Sequence, residues 1–453
     1  MASATATADE PLTATPLRRW LVVAALSFAS IVSYVDRQII NLLVEQIKAD
    51  LGLTDLEISL LQGFSFALLY ALLAIPIAWI ADRGNRKWVI LAGMIGWSAA
   101  TFSSGLAGSF AMLFAARMMV GIGEATLAPA GFSILSDSFS RDKLPAAISV
   151  FTGSGFVGSG LALIIGGAIA GQLNAIGDVT LPFGTFRPWQ MTFLAVALMS
   201  FPAFILVLLI REPARRNGCQ VLVSDNPPRA WEIFSYLFAH WTVFLPLILG
   251  LSCFVAAQFG LGAWAPSYFI RHHGWTQSQV GNALGPVVMF GGLGGIVAGG
   301  ILVQFFMKRG VQDASMRISM LAIGLAVPAG IFFPRMESPN AALALLAVLI
   351  FLGNIPGGST VSTFPLITPN RMRAQVLAVY LLVANLLGYS AGPTLIAWIT
   401  DKVYADPKAI GQSLGIAPPG VMMAGLILLA LAIVPYRQLL KHQQGLEADG
   451  TAP

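Results

Sequence analysis

The sequence predicts an all-α membrane protein with twelve transmembrane helices in two six-helix bundles. Of its 453 residues, 56% are hydrophobic and 10% are charged, whereas about 25% of residues are charged in soluble domains. The mean hydropathy is +0.76. A helix of roughly 20 apolar residues crosses a bilayer, and segments of that kind lie near 18–44, 56–81, 88–107, 110–135, 144–172, 190–211, 241–269, 277–303, 314–335, 341–365, 373–400 and 417–440.

The distribution of basic residues between the loops predicts the orientation. The chain has 26 Lys and Arg against 21 Asp and Glu. The orientation of the chain in a bilayer explains this excess of basic residues better than a nucleic-acid partner does. Arg37 and Arg117 lie within spans, and all but six of the others fall on one side of the membrane. By the positive-inside rule that side is the cytoplasm. We therefore expect both termini in the cytoplasm and a multi-pass protein of the cell inner membrane. The six on the opposite side are Lys48, Arg187, Arg271, Arg335, Lys402 and Lys408.

The longest polar stretch between spans, near 212–230, divides the chain into two halves. Within the segment that follows it, residues 230–238 read as an amphipathic helix on the inner surface. Six spans on each side of a central linker is the expected build of a large class of transporters. We expect a disordered cytoplasmic tail, an N-terminal six-helix bundle, a cytoplasmic linker that contains the amphipathic helix, a C-terminal six-helix bundle and a second cytoplasmic tail, over residues 1–17, 18–211, 212–240, 241–440 and 441–453.

Charged side chains at membrane depth mark the first half of the chain. Asp36 and Arg37 are adjacent in the first span, where unpaired charges cost several kcal/mol, and adjacent helical residues do not face each other. Arg117 and Glu124 are seven residues apart in the fourth span, so they share a helix face about 10 Å apart along the axis. The depths of Asp36 and Arg117 match, which predicts an ion pair between the two helices. A static brace is the alternative role for this pair.

Glu124 lies near the membrane midplane, and no basic residue of a span is evidently available to neutralise it. A buried carboxyl group without a full partner is expected to titrate reversibly, as a proton carrier must. We therefore expect proton coupling at Glu124, in the first half.

The loop between the second and third spans reads Asp82-Arg83-Gly84-Asn85-Arg86-Lys87. Basic residues at such a turn are explained by membrane topology alone. The acid at the end of a span is harder to explain, and it is suited to accept bonds from a helix N-terminus or an arginine. We expect Asp82, Arg83 and Arg86 to form a gate that opens when the halves move.

The remaining motifs do not indicate an enzyme. The glycine-rich stretches 153–160, 291–300 and 388–393 are explained by close helix packing, and they lack the flanking strand and Gly-Lys-Ser/Thr of a nucleotide loop. Neither a metal-ligand spacing nor a Gly-x-Ser-x-Gly element is present. We expect no catalytic activity, no cofactor and no bound metal. Polar and aromatic residues at membrane depth are candidates to line a substrate cavity, although interhelical hydrogen bonds explain most of them; the candidates are Tyr34, Gln258, Asn354 and Tyr389.

Three stretches together resemble the major facilitator superfamily and, within it, the spinster transporters. They are Tyr34-Val35-Asp36-Arg37, the loop from Asp82 to Lys87, and the segment from Arg117 to Ala125. Gly388 to Pro393 resembles a helix 5 motif of the superfamily, here displaced to helix 11. The likeness is concentrated in the first half, and after Ala125 the chain reads Thr-Leu-Ala-Pro where the family is more polar.

This resemblance implies the major facilitator fold and a bacterial homologue of the spinster transporters, working as a monomer by alternating access. It implies proton-coupled movement of an amphiphilic anionic lipid, such as sphingosine-1-phosphate or a lysophospholipid, with Asp36 and Glu124 exchanging protons. Arg37 would meet the anionic head group, and Arg117 would help to hold it. The alternative within the superfamily is a proton-coupled organic-anion symporter, whose members also carry Asp-Arg in helix 1 and Gly-x-x-Glu-Ala in helix 4. The expected partners are the substrate, protons and the lipid bilayer.

Overall fold

The computed structural model describes residues 15–140, 142–182, 184–213, 215 and 229–448. Most of the predicted first tail, most of the polar part of the linker and the last five residues therefore lie outside the described residues.

The first half of the chain is helical apart from one short hairpin. A β-hairpin of β1 (Val179–Leu181) and β2 (Gly184–Phe186) joins its last two helices. The helices of this half are α1 (Pro16–Gln38), α2 (Ile40–Leu51), α3 (Asp55–Ser59), α4 (Ser65–Arg83), α5 (Arg86–Gly105), α6 (Phe110–Glu124), α7 (Leu127–Ser138), α8 (Leu144–Ile176) and α9 (Pro188–Leu209).

The second half is also helical, and a short helix in the linker precedes it. That helix, α10 (Ala230–Ala239), is present where the sequence predicted an amphipathic helix, and it exposes Trp231, Phe234 and Phe238. The remaining helices are α11 (Trp241–His273), α12 (Gln277–Lys308), α13 (Ala314–Phe332), α14 (Pro339–Thr363), α15 (Arg373–Trp398) and α16 (Ile410–Ala448). The last helix continues past residue 440, so the predicted tail begins as helix.

The all-helical membrane architecture is confirmed. Eleven helical stretches within the described residues are long and apolar enough to cross a membrane. The predicted third span, near 88–107, forms α5, which is diluted by Gly, Ser and Thr and is not among the eleven. Helix α5 packs against α6, α7 and α9 inside the first half. Its place in the bundle is that of a span, but a total of twelve remains a prediction.

Three of the predicted spans in the first half are interrupted rather than continuous. The first is divided at Ile39, between α1 and α2, and the fourth is divided after Glu124, between α6 and α7. The second starts as α3 with a capping box formed by Thr54 and Glu57, and then passes through a π-helical turn, Leu60–Phe64, into α4. Such turns inside helices occur frequently at functional sites.

Glycine brings the two halves together along α8 and α12. A side chain at Gly160 would collide with the backbone carbonyl of Gly285, and one at Gly167 would collide with that of Gln277. The predicted packing role of the 153–160 stripe is thus observed, since Gly155 and Gly158 lie against Tyr34. Small residues permit this close approach where lipid gives no hydrophobic drive.

Candidate functional site

A cavity of about 370 Å³ lies between the two halves. Its first-half wall carries polar groups, among them Arg37 and Gln62, while much of its second-half wall is apolar and includes Phe254, Phe259 and Ile350. Pockets of 300–1,000 Å³ with a few placed polar groups are typical of small-molecule sites. The arrangement suits a ligand with a polar end and an apolar body.

Arg37 is the cation of this cavity, and it touches both halves. Its Nε donates to Oε2 of Glu124 at 3.1 Å, a second guanidinium nitrogen makes a still closer contact with the same oxygen, and its Nη1 donates to the hydroxyl of Tyr389 at 2.8 Å. The guanidinium also lies 4.1 Å from the ring centre of Phe66 and 4.8 Å from that of Tyr34. Aromatic faces attract a cation in this way.

Asp36 and Arg117 form the predicted ion pair, with Nη1 of Arg117 3.2 Å from Oδ1 of Asp36. The hydroxyl of Thr101 donates to the other carboxylate oxygen of Asp36. Arg117 also donates to the backbone carbonyls of Asp36 and Arg37, at 3.2 and 3.1 Å, next to the interruption of the helix at Ile39. In a bilayer such backbone groups need a partner inside the protein, and this arginine supplies it.

Glycines on α6 determine how deeply these charges are placed. Gly121 lies against the backbone carbonyl of Phe66 in α4, and Gly123 lies against Gly93 and Trp97 in α5. A methyl group at either position would collide with backbone atoms, so α6 approaches its neighbours as closely as main chain allows. Arg117 and Glu124 consequently face α1 with 0% and 2% of their surfaces exposed.

The prediction that Glu124 has no basic partner was wrong. Arg37 is that partner, because it points about 100° around the helix from Asp36 and so reaches Glu124 while Asp36 reaches Arg117. Two ion pairs therefore share one buried site, the charged centre formed by Asp36, Arg37, Arg117 and Glu124. In the described part of the chain, Oε1 of Glu124 has no hydrogen-bond partner.

Most of the predicted substrate residues meet at the cavity. Tyr34, Arg37, Gln258, Asn354 and Tyr389 all line it. Arg117 does not, because it is wholly buried behind α1 with its nitrogens directed at Asp36 and the backbone. Its expected contact with substrate is thus corrected to a bracing role.

Three amide side chains in the cavity wall were not predicted. Gln38, Asn41 and Gln62 form a hydrogen-bonded chain, named here the amide chain. Each is a polar residue inside an otherwise apolar span, and that was the signal available in the sequence.

The loop after α4 forms a cluster different from the one predicted. Arg86 is its centre: the guanidinium binds Asp137 and lies 3.0 Å from Glu212. Asp82 is exposed, and among the described residues its carboxylate joins no ion pair; only its backbone carbonyl is bonded, by Arg215. Arg83 lies over the ring of Trp79 at 3.8 Å. Asp82 is on the last turn of α4, facing outward, whereas Arg86 begins α5 against α7.

A second charged cluster closes the opposite end of the molecule. Arg271 of α11 donates to Asp55 of α3 at 2.7 and 2.8 Å and to Glu45 of α2 at 2.8 Å, and Lys48 also binds Asp55. These four residues, named here the Arg271 cluster, join the two halves. Asp401 accepts from the backbone N–H of Leu56 beside them at 2.7 Å.

No group of three or more His, Cys, Asp or Glu side chains in the described ranges is placed to hold a metal ion. The site consists of paired charges, amides and apolar surface. It has the composition of a binding site that loads and releases a solute.

The fold and this central cavity define a transporter, and the chain belongs to the Major Facilitator Superfamily, whose family model matches residues 26–393. Proteins of this kind carry solutes across membranes and are not enzymes.

Two of three individual comparisons, a mouse protein and a bacterial crystal structure, support the resemblance to spinster transporters. An "MFS-type efflux pump" of Mycolicibacterium smegmatis is 25% identical, over 93% of this chain and 94% of the relative. The mouse "Sphingosine-1-phosphate transporter SPNS2" is 24% identical, over 90% of this chain and 76% of the relative. The crystal structure of a bacterial homologue of the human lysosomal transporter Spinster, in an inward-facing and occupied conformation, superimposes with a TM-score of 0.75 at 24% identity, covering 94% of this chain and 98% of that one.

Proposed function

We propose that this protein is a proton-coupled secondary transporter that moves an amphiphilic anionic lipid, such as sphingosine-1-phosphate or a lysophospholipid, by alternating access. The observation that carries the proposal is the cavity between the halves, with the Arg37 guanidinium on one wall and an apolar surface opposite. A fixed cation suits a phosphate head group, and the apolar wall suits an acyl or sphingoid chain. The mouse relative named for sphingosine-1-phosphate adds to this choice.

The geometry also supports a means of coupling. Glu124 and an anionic head group would compete for the same guanidinium, because Arg37 already binds Oε2 of Glu124 through two nitrogens. Protonation of Glu124 removes the charge that holds Arg37 and makes Arg37 available to the anion. Asp36 is the second proton site of the proposal, and Arg117 is the fixed charge beside it.

The proposal includes the arrangement in the membrane. Counting α5, twelve spans form bundles over 18–211 and 241–440, and the linker at 212–240 lies in the cytoplasm with both tails, 1–17 and 441–453. The protein acts as a monomer in the inner membrane. The loop charges support this orientation. Basic residues are more numerous in the loops on the side of the molecule that carries Arg86 than in those on the side that carries Arg271, and the positive-inside rule places the richer side in the cytoplasm.

Binding of sphingosine-1-phosphate and a lysophospholipid to the purified protein, across pH, tests the proposal. We expect saturable binding that weakens by about 10-fold or more in Arg37→Ala, since hydrogen bonds to charged groups are worth that much. Arg335→Ala is the matched control, because Arg335 is exposed and donates only to the nearby backbone carbonyl of Ile331 among the described contacts. Flux of the bound lipid into liposomes then distinguishes a transporter from a receptor.

Two outcomes contradict the lipid proposal. If Arg37→Ala leaves binding of the lipid unchanged, the Arg37 guanidinium does not contact the bound head group. Failure of both lipids to bind, together with saturable binding of a small carboxylate, replaces the lipid with an organic anion.

A further inference from the structure

The amide chain has a fixed direction. Nδ2 of Asn41 donates to Oε1 of Gln38 at 2.6 Å, and Nε2 of Gln62 donates to Oδ1 of Asn41 at 3.1 Å. Nε2 of Gln62 also donates to the backbone carbonyl of Ala263, in the other half of the molecule, at 3.0 Å. Each amide therefore determines the orientation of the next.

This direction leaves one buried acceptor unused. A backbone carbonyl accepts and never donates, so the amide nitrogen of Gln62 must face Ala263 and its oxygen must face away. That oxygen has no hydrogen-bond partner among the described residues, although only 7% of Gln62 is exposed. Leaving a buried acceptor unsatisfied costs free energy, and Gln62 lines the cavity.

Gln62 shares the cavity wall with Arg37. Asn41, to which Gln62 is bonded, lies in α2, just beyond the interruption at Ile39, and lines the same cavity. Gln62 itself lies in the π-helical turn Leu60–Phe64, where the widened backbone displaces the side chain from ordinary helical register. The cation and the amide that carries the unused acceptor thus belong to one cavity.

We propose that Gln62 Oε1 is an acceptor subsite that selects substrates with a hydrogen-bond donor, a hydroxyl or ammonium group, next to their anionic group. The inference rests on the proposed function and narrows it: the preferred cargo is an amphiphile whose head carries both an anion and a donor. The anion meets Arg37, and the donor satisfies the oxygen of Gln62. An amphiphile with the anion alone leaves that oxygen unpaired and binds more weakly.

A pair of ligands tests the subsite. Sphingosine-1-phosphate carries an ammonium and a hydroxyl group beside its phosphate, whereas octadecyl phosphate has a similar chain and neither donor. We expect the wild-type protein to bind the first at least about 10-fold more tightly. Gln62→Met, which keeps the length of the side chain and removes the amide, should abolish this preference by weakening sphingosine-1-phosphate alone.

Two further variants separate the subsite from a structural role of Gln62. Gln62→Glu keeps an acceptor oxygen and loses the nitrogen that reaches Ala263, so it should retain the preference. Gln46→Met is the matched control: Gln46 is another amide without partners in the described residues, but it does not line the cavity, and its loss should leave the preference unchanged. Loss of the preference in Gln62→Glu as well as in Gln62→Met overturns the acceptor role.

The outcomes also separate this inference from the proposed function. If both phosphates bind equally and depend on Arg37 but not on Gln62, the subsite is wrong and lipid transport stands. If neither binds, lipid transport fails, and gluconate and hexanoate replace them as a carboxylate pair with and without hydroxyl groups. A preference for gluconate that Gln62→Met removes supports the subsite, and equal binding overturns it.

Discussion

Arg37 contacts a carboxylate, a hydroxyl and four aromatic rings at once. An arginine keeps its proton throughout the range in which proteins function, so any change of charge in this cluster must come from its acids. Asp36 is held by an arginine and a threonine, whereas Glu124 has one oxygen without a partner in the described residues. Glu124 therefore has an oxygen open to a proton, and on the proposed cycle its protonation weakens the bonds to Arg37.

Glu124→Gln should remove the pH dependence of transport while leaving the protein folded. Glutamine keeps an oxygen that accepts from Arg37, but it cannot take up a proton. The measurement is the initial rate of lipid uptake into liposomes at a series of pH values. Glu57→Gln is the control, since either residue completes the capping box of Thr54. A variant whose rate follows pH as the wild type does would exclude Glu124 as proton carrier.

Asp313, outside the spans, gives a pH dependence of stability. Its burial by itself raises the pKa of the carboxyl, but bonds from Arg317 and Arg437, at 2.8 and 2.5 Å, outweigh this and hold the pKa below its ordinary value. A lowered pKa stabilises the fold above the pKa of the unfolded chain, about 3.9, and that contribution is lost as pH falls through the folded value.

Asp313→Asn should therefore reduce the acid sensitivity of the detergent-solubilised protein. Between about pH 5 and about pH 3 the wild type should lose more thermal stability than the variant, by about 1 kcal/mol or less because both arginines are partly exposed. Arg437→Met should have a similar effect, since it removes one of the two donors. Equal acid sensitivity in all three proteins would show that this ion pair does not contribute.

At the scale of the helices, the interruptions of the spans determine which polar side chains reach the cavity. The division of the first span at Ile39 and the π-helical turn at 60–64 present Arg37 and Gln62 to the same cavity. Hydropathy located these spans, and the matching depths of Asp36 and Arg117 predicted their ion pair. The breaks were not predictable, because they depend on partners from other helices, such as the Arg117 guanidinium on the carbonyls beside Ile39.

Asp55→Asn should open the end of the molecule that the Arg271 cluster closes. Asp55 is wholly buried and binds both Arg271 and Lys48. Removing one partner of a buried ion pair costs roughly 3–5 kcal/mol, and the cost is smaller here because Arg271 keeps its bond to Glu45. This free-energy cost destabilises the conformation in which the two halves meet at the Arg271 cluster. Distances between spin labels at Thr180 and Glu337, exposed in opposite halves, should lengthen.

Asp178→Asn is the control for this prediction. Asp178 pairs with Arg187 at 2.7 Å within the first half, so its loss should not change the separation of the halves. Unchanged label distances in Asp55→Asn would mean that the Arg271 cluster does not hold this end closed.

At the scale of the whole molecule, the two ends are organised differently. The Arg271 cluster joins the halves, whereas the Arg86 cluster of Arg86, Asp137 and Glu212 lies within the first half. Asp82 is exposed at that second end. Any ion pair of the Asp82 carboxylate with the described residues therefore belongs to another conformation, and we propose that this end is closed in it.

Asp82→Asn should consequently destabilise only that other conformation and shift the population toward the one described here. Spin labels at Asn85 and Lys308, exposed at this end in opposite halves, report the change as a larger fraction of long distances. Asp142→Asn, at an exposed acid of a neighbouring loop, should have no effect. If the label distances in Asp82→Asn match those of the wild type, Asp82 does not take part in the gate.

Composition predicted the helical membrane architecture, because bilayer solvation acts on every span alike. The same rules pointed to the charged centre, since buried ions are rare. They did not pair Arg37 with Glu124 or Arg86 with Glu212, because those contacts join segments far apart in sequence. Pairing across a bundle depends on crossing points set by Gly121 and Gly123, which a single sequence does not reveal.

The hydrogen bond between Arg37 and Tyr389 affects how the two halves of the empty carrier are held together. One guanidinium is tied to an acid of the first half and to a hydroxyl of the second. On the proposed cycle, an unloaded and deprotonated carrier keeps both ties, and therefore holds its halves together at the centre of the membrane. On that cycle, the arrival of a proton or of the anion displaces one of these ties and changes how the two halves are joined at the cavity.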